Sequence, residues 1–260
     1  MSAFATRLAK HLYLAIPLVL LAELAVPAQA QTQITTCGFR ITVGGGNYVL
    51  ANDLVSCPAD GIDIAAGHVT LDLAGHQIMG SGTATGIKVE RPGGLLSREV
   101  KIHGPGTIIN FDKGIELVDA QTSEVSRVTC TGNNTGFMID LQHDSWDNQI
   151  HDNVATENRL NGFVINDEWS HYDRNQSNQN LGSGFLLAAP HGRENFLNGN
   201  TAEQNANDGI EAQSGAELNL IEGNHASGNF VLDLADNNSQ GCKNTWYHNS
   251  FGTKNKSCIQ

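Results

Sequence analysis

Apolar residues recur along this chain in a short phrase: glycine or a small polar residue, then apolar, any residue, apolar. It reads Gly61-Ile62-Asp63-Ile64, Gly86-Ile87-Lys88-Val89, Gly114-Ile115-Glu116-Leu117 and Gly136-Phe137-Met138-Ile139. It continues as Gly162-Phe163-Val164-Ile165, Gly184-Phe185-Leu186-Leu187, Gly209-Ile210-Glu211-Ala212 and Asn229-Phe230-Val231-Leu232. Successive phrases start 20 to 28 residues apart. Residues two apart share one face of an extended strand. One short strand per repeat, at such a period, predicts a solenoid with one coil per repeat. Asp63, Lys88 and Glu116 fall between the apolar positions and are expected to face outward.

A second apolar ladder runs through Val128, Ile150, Tyr172, Leu197, Ile221 and Trp246. From Ile150 onward the residue three places later is always asparagine: Asn153, Asn175, Asn200, Asn224 and Asn249. Two places earlier stand Asn148, Asn195, Asn219 and Asn244, with Ser170 as the exception. Coils stacked ~4.8 Å apart let each amide donate to one neighbour and accept from the other. Asparagine also tolerates the left-handed backbone of a tight corner. Of 26 asparagines, 23 lie at or beyond Asn133, which makes them architecture rather than a sugar-binding surface. The ladder leads the next phrase by 13 residues in most coils, but by 9 from Val128 to Phe137 and from Ile221 to Phe230. Two coils are therefore expected to lack a four-residue turn. No helix-period stretch follows residue 30. The fold class expected is all-β, a single-stranded parallel β-helix of about nine coils, near ~40 Å long.

The start of the chain reads differently. Arg7, Lys10 and His11 precede the apolar run from Leu12 to Leu21, and Ala28-Gln29-Ala30 is an A-x-A cleavage site. Residues 1–30 read as a secretory signal peptide, and 31–260 as the β-helix domain. No later segment is long and apolar enough to span a membrane, which takes ~20 apolar residues. The net charge of −12 argues against a nucleic-acid partner. Export permits disulfides. Cys37 and Cys57 bracket the first turn and Cys242 and Cys258 the last, so these pairs are expected, leaving Cys130 as a small buried apolar residue. The second bridge would cap an end of the stack, in keeping with a monomer.

The opening from Cys37 through Tyr48-Val49-Leu50, Asp53-Leu54, Cys57 and Val69 to His76 resembles a bacterial secreted family. So does the ending, Asn224 to Asn229, Asp233-Leu234, Cys242, Asn244-Thr245-Trp246, Phe251-Gly252-Thr253 and Cys258-Ile259. The family is that of the right-handed parallel β-helix repeat proteins with the pectate-lyase-like fold. It covers essentially all of 37–260 and implies a right-handed helix. Its members include polysaccharide lyases, glycoside hydrolases, uronate epimerases and NosD-type periplasmic copper-related proteins, so the resemblance specifies fold more than activity. The epimerase-like Asp-Pro-His cluster is replaced here by Ala189-Pro190-His191, and the calcium-binding nonapeptide repeat is absent.

Candidate chemistry concentrates in three successive loops: 141–147, 166–174 and 189–194. Six residues after each phrase start stand His143, Trp169 and His191, which would form a vertical stripe. Asp144, Asp167, Glu168, His171, Tyr172, Trp146 and Arg193 lie beside it. An exposed tryptophan suits a sugar ring. Histidine beside acids suits abstraction of a uronate C5 proton or protonation of a leaving oxygen. Arg193 suits a substrate carboxylate. The candidate catalytic set is His143, Asp144, Asp167, His171, His191 and Arg193. The candidate ligand-binding set is Trp146, Trp169, Glu168 and Tyr172. No cofactor or metal site is evident, although a calcium bridge to an acidic sugar is compatible with these acids. The function expected is a secreted or periplasmic protein that binds a polysaccharide. Lyase or epimerase chemistry follows if the set converges in a groove, with hydrolysis second. Two alternatives stand beside it: a non-catalytic envelope or adhesive module, and a NosD-type metal-related accessory protein.

Overall fold

The computed structural model describes residues 31–93, 95–140 and 145–260. The signal-peptide reading of 1–30, and candidates His143 and Asp144, lie outside them. The described elements are strands, stacked in parallel into a solenoid of about nine coils with three walls. Wall one is a nine-stranded sheet climbing in chain order from Phe39–Ile41 to Leu234–Asp236. In the later coils wall two holds Gln149–His151, His171–Asp173, Phe196–Asn198, Leu220–Glu222 and Thr245–Tyr247. Wall three holds Val154–Thr156, Gln176–Asn178, Thr201–Glu203, His225–Ser227 and Ser250–Phe251.

Alternation builds the core. Ile62, Ile87, Ile115, Phe137, Phe163, Phe185 and Ile210 are buried and pair in register up wall one. The rings of Phe137, Phe163 and Phe185 stack with centroids 4.6 and 4.8 Å apart. The phrase glycine has a steric cause. A Cβ on Gly114, Gly136 or Gly184 would stand 2.5–2.6 Å from the carbonyl oxygen of the corresponding glycine one coil on. No side chain fits there without moving backbone.

Two registers differ from the sequence reading. Leu234, not Phe230, continues wall one after Ile210, and Phe230 is 85 % exposed. Val125, not Val128, opens the second ladder, pairing with Ile150, while Val128 faces Gly106. With these partners the two coils do not lack a four-residue turn. The apolar run Phe230-Val231-Leu232 drew the phrase four residues too early. Phe39, opposite Ile62, is an additional first member.

The asparagines form three ladders, one per corner. In one, the backbone N–H groups of Asn153, Asn175 and Asn200 donate to the side-chain oxygens of Asn175, Asn200 and Asn224 at 2.8–3.0 Å. A second runs through Asn148, Ser170, Asn195, Asn219 and Asn244. The third, Asn133, Asn158, Asn180, Asn205 and Asn229, was not anticipated. Its spacing of 22 to 25 residues is visible in the chain. The left-handed residue is not the asparagine but the one before it: Asp152, Arg174 and His248, or Gly199 and Gly223. The asparagine itself turns inward and satisfies backbone groups that a tight corner leaves unpaired.

Both expected disulfides are present, and Cys130 is free and buried. Among the described residues no helix is long and apolar enough to cross a membrane.

Candidate functional site

The corner between walls one and two places most of the candidate residues. Backbone bridges align Gln121, Trp146, Glu168 and Arg193 as one column, so Trp169 and His191 are not equivalent positions. Counting from the phrase start assumes equal turns. The run from Phe163 to Ser170 is shorter than those from Phe137 to Asn148 and Phe185 to Asn195, so that count slips. Counting back from the corner asparagine keeps register.

Trp169 forms the crest of this corner, left-handed and 54 % exposed, with Asp147, Glu194 and Leu218 in the same backbone state. On the wall-one side lie Glu168, Arg193 and His191. His191 Nδ1 is 3.9 Å from Glu168 Oε1, and an Arg193 guanidinium nitrogen is 3.3 Å from Glu194 Oε1. Trp146 is partly exposed in the same column. On the wall-two side lies His171, separated from them by the crest.

Asp167 and Tyr172 are not on the surface. Both are fully buried, and the Tyr172 hydroxyl donates to Asp167 Oδ1 at 2.8 Å. Ser170 Oγ and Asn148 Nδ2 donate to the other carboxylate oxygen at 2.6 and 3.3 Å. Burial, only partly offset by these bonds, pushes the Asp167 carboxyl up to about 7. Burial also raises the Tyr172 hydroxyl. Neither side chain can touch a surface sugar. The expected catalytic set is thus divided between the interior, the two sides of the crest and undescribed residues.

The outer face of wall two holds a concavity. His171, Asp173, Phe196, Asn198, Leu220 and Glu222, with Leu197 beneath, line a trough of about 280 Å³. His171 and Phe196 stack with centroids 4.7 Å apart and planes 9° from parallel. Strand pairing fixes two outward columns: Gln149, His171, Phe196, Leu220 and Thr245, and beside it His151, Asp173, Asn198, Glu222 and Tyr247. Of the trough residues only His171 was a candidate from sequence. The missed signal is a break in alternation: Phe196-Leu197 and Leu220-Ile221 put apolar residues at outward positions that other coils fill with Gln149 or Thr245.

Preceding coils carry charges already engaged. His151 reaches Glu124 Oε1 at 3.2 Å and Asp152 Oδ2 at 2.8 Å. Arg174 grips Asp152 with two nitrogens, each at 2.9 Å, and this hydrogen bonding, with that of His151, holds the Asp152 carboxyl at about 2. Among the described residues no three His, Cys, Asp or Glu side chains are grouped to hold a metal ion.

Comparison with solved structures gives the fold context. The Azotobacter vinelandii mannuronan C-5 epimerase AlgE6 A-module superposes with a TM-score of 0.61 at 12% identity, over 85% of this chain and 65% of that one. A mutant of the periplasmic alginate epimerase AlgG gives 0.53 at 15% identity, over 74% of this chain and 59% of that one. The chain therefore spans less than two thirds of either neighbour, and at these identities the likeness is one of fold. Comparison with curated proteins finds no match. The family described as periplasmic copper-binding protein (NosD) matches residues 73–259, and the chain belongs to this NosD family of periplasmic β-helix proteins.

Proposed function

We propose that this periplasmic β-helix protein binds a polysaccharide along the outer face of wall two, with its strongest contacts in the trough at Phe196. The observation that carries this reading is the trough itself. Phe196 and Leu220 offer apolar surface for a sugar ring, and Asp173, Asn198 and Glu222 offer acceptors and an amide for hydroxyl groups. The parallel columns repeat at ~4.8 Å and suit a linear polymer lying along the axis. The fold neighbours, named for mannuronan and alginate, lend support to a polysaccharide as ligand class.

The reading includes no catalytic step. General acid–base chemistry needs its groups within hydrogen-bond reach of one substrate. Here Asp167 is interior, while His171 and His191 stand on opposite sides of a crest. Copper, named in the family description, finds no donor set among the described residues, since Cys130 is sealed in the core and no histidine–carboxylate cluster has three suitable members. Calcium has no group of three carboxylates among the described residues.

A glycan-binding screen tests the reading, run on wild type, Phe196→Ala and a Trp169→Ala/His191→Ala pair. The wild type and the pair are expected to bind the same glycan, and Phe196→Ala to lose it. Loss in the pair alone would move the site to the crest loops. No binding to any glycan would end the polysaccharide reading.

A further inference from the structure

Building on the polysaccharide-binding reading, we propose that the wall-two trough is selective for glycans without acidic groups, with sugar hydroxyls donating to Asp173 and Glu222. This separates the protein from its fold neighbours, whose names specify the acidic polymers mannuronan and alginate.

Charge placement sets this selectivity. Asp173 and Glu222 stand in one outward column, with Asn198 between them, beside the apolar column of His171, Phe196 and Leu220. A sugar stacked on Phe196 would lie next to both carboxylates. Ionised carboxylates are acceptor-only groups, matched to hydroxyl donors and opposed to another carboxylate.

Three nearby bases are engaged by other carboxylates. Arg174 follows Asp173 but is held bidentately by Asp152. Arg193, across the crest, lies against Glu194. His151 is shared between Glu124 and Asp152. That leaves His171, stacked face to face on Phe196, as the basic side chain within the trough. A single imidazole does not balance two carboxylates. The chain's net charge of −12 adds long-range repulsion of a polyanion.

The test is calorimetric titration of the purified protein at pH 7.5 and low salt with two probes of equal length: a neutral hexose oligosaccharide and a mannuronate oligosaccharide. Wild type is expected to bind the neutral probe and to show at least tenfold weaker binding of the mannuronate. In Asp173→Asn/Glu222→Gln the neutral probe should weaken and the mannuronate probe gain, so that the ratio falls toward one. Tighter binding of mannuronate by wild type, or an unchanged ratio in the variant, would overturn the selectivity while leaving the binding site in place. Failure of both probes, together with a blank glycan screen, would overturn the binding reading itself.

Discussion

Asp167 carries a carboxyl group into the centre of the stack, beside a corner where Ser170 replaces asparagine. Ser170 Oγ accepts the backbone N–H of Asn148 at 3.0 Å and donates to Asp167 Oδ2 at 2.6 Å. The acid thus supplies an acceptor that the shorter serine cannot. It does so at a cost set by burial, which holds its proton to about pH 7, whereas an unfolded aspartate releases it near 3.8. Between those values the native state binds more protons than the unfolded state, so this group's contribution to stability falls as pH rises. Linkage puts the loss at about 4 kcal/mol. The expected outcome for Asp167→Asn is a stability difference from wild type that shifts in the variant's favour from pH 4 to 7 and is level above it. Urea denaturation across that range would reveal this, and a difference independent of pH would contradict it. The position was legible in one respect: Phe163, Ile165 and Asp167 share a face by simple alternation. Reading Asp167 as a loop acid gave residue type precedence over phase. Tyr172 met the same error, although it already stood in the apolar ladder.

Strands of three or four residues cannot hold a coil alone, and the asparagine ladders supply the missing order. Asn175 donates to the Ile150 carbonyl at 2.7 Å, accepts from the Asn153 backbone at 3.0 Å and contacts the amides above and below. Removing it orphans a buried donor and a buried acceptor, each worth roughly 1–3 kcal/mol. Asn175→Ala is therefore expected to destabilise by about 3 kcal/mol or more, measured by denaturant unfolding. Asn175→Asp should also destabilise, because a carboxylate cannot donate to Ile150. Near-wild-type stability of either would show that the ladder is ornamental. The period, the strand phase and two of three ladders were readable because solenoid coils repeat one set of contacts. Register at Val125 and Leu234 was not, since neighbouring apolar residues in the same segments mimic the phrase. Turn length likewise escaped a count from the strand start, and with it the true surface column of Trp146, Glu168 and Arg193.

A stack of coils has two ends, and stability there depends on caps rather than on neighbours. At the C-terminal end Asp233 occupies the place of the phrase glycine, and its carboxylate accepts the backbone N–H groups of Gly252 and Thr253, each at 2.9 Å. The Cys242–Cys258 bridge closes the same segment. Closing a loop of this length is worth about 3 kcal/mol. Replacing both cysteines with serine is expected to raise hydrogen exchange across 234–260 while leaving 85–165 unchanged. Uniform loosening of the whole rod would instead indicate all-or-none coupling. The site was less legible than the fold, because a solenoid repeats its architecture but not its surface. Only the break in alternation at Phe196 and Leu220 marks the trough in the chain, and the described members of the expected catalytic set face three directions. The central claim is that this trough holds a sugar chain. The most direct measurement is calorimetric titration of wild type and Phe196→Ala with the glycan that a screen identifies. Loss of the aromatic surface should weaken binding roughly tenfold or more with unfolding unchanged. Equal affinity in the two proteins would place the ligand elsewhere and contradict the account.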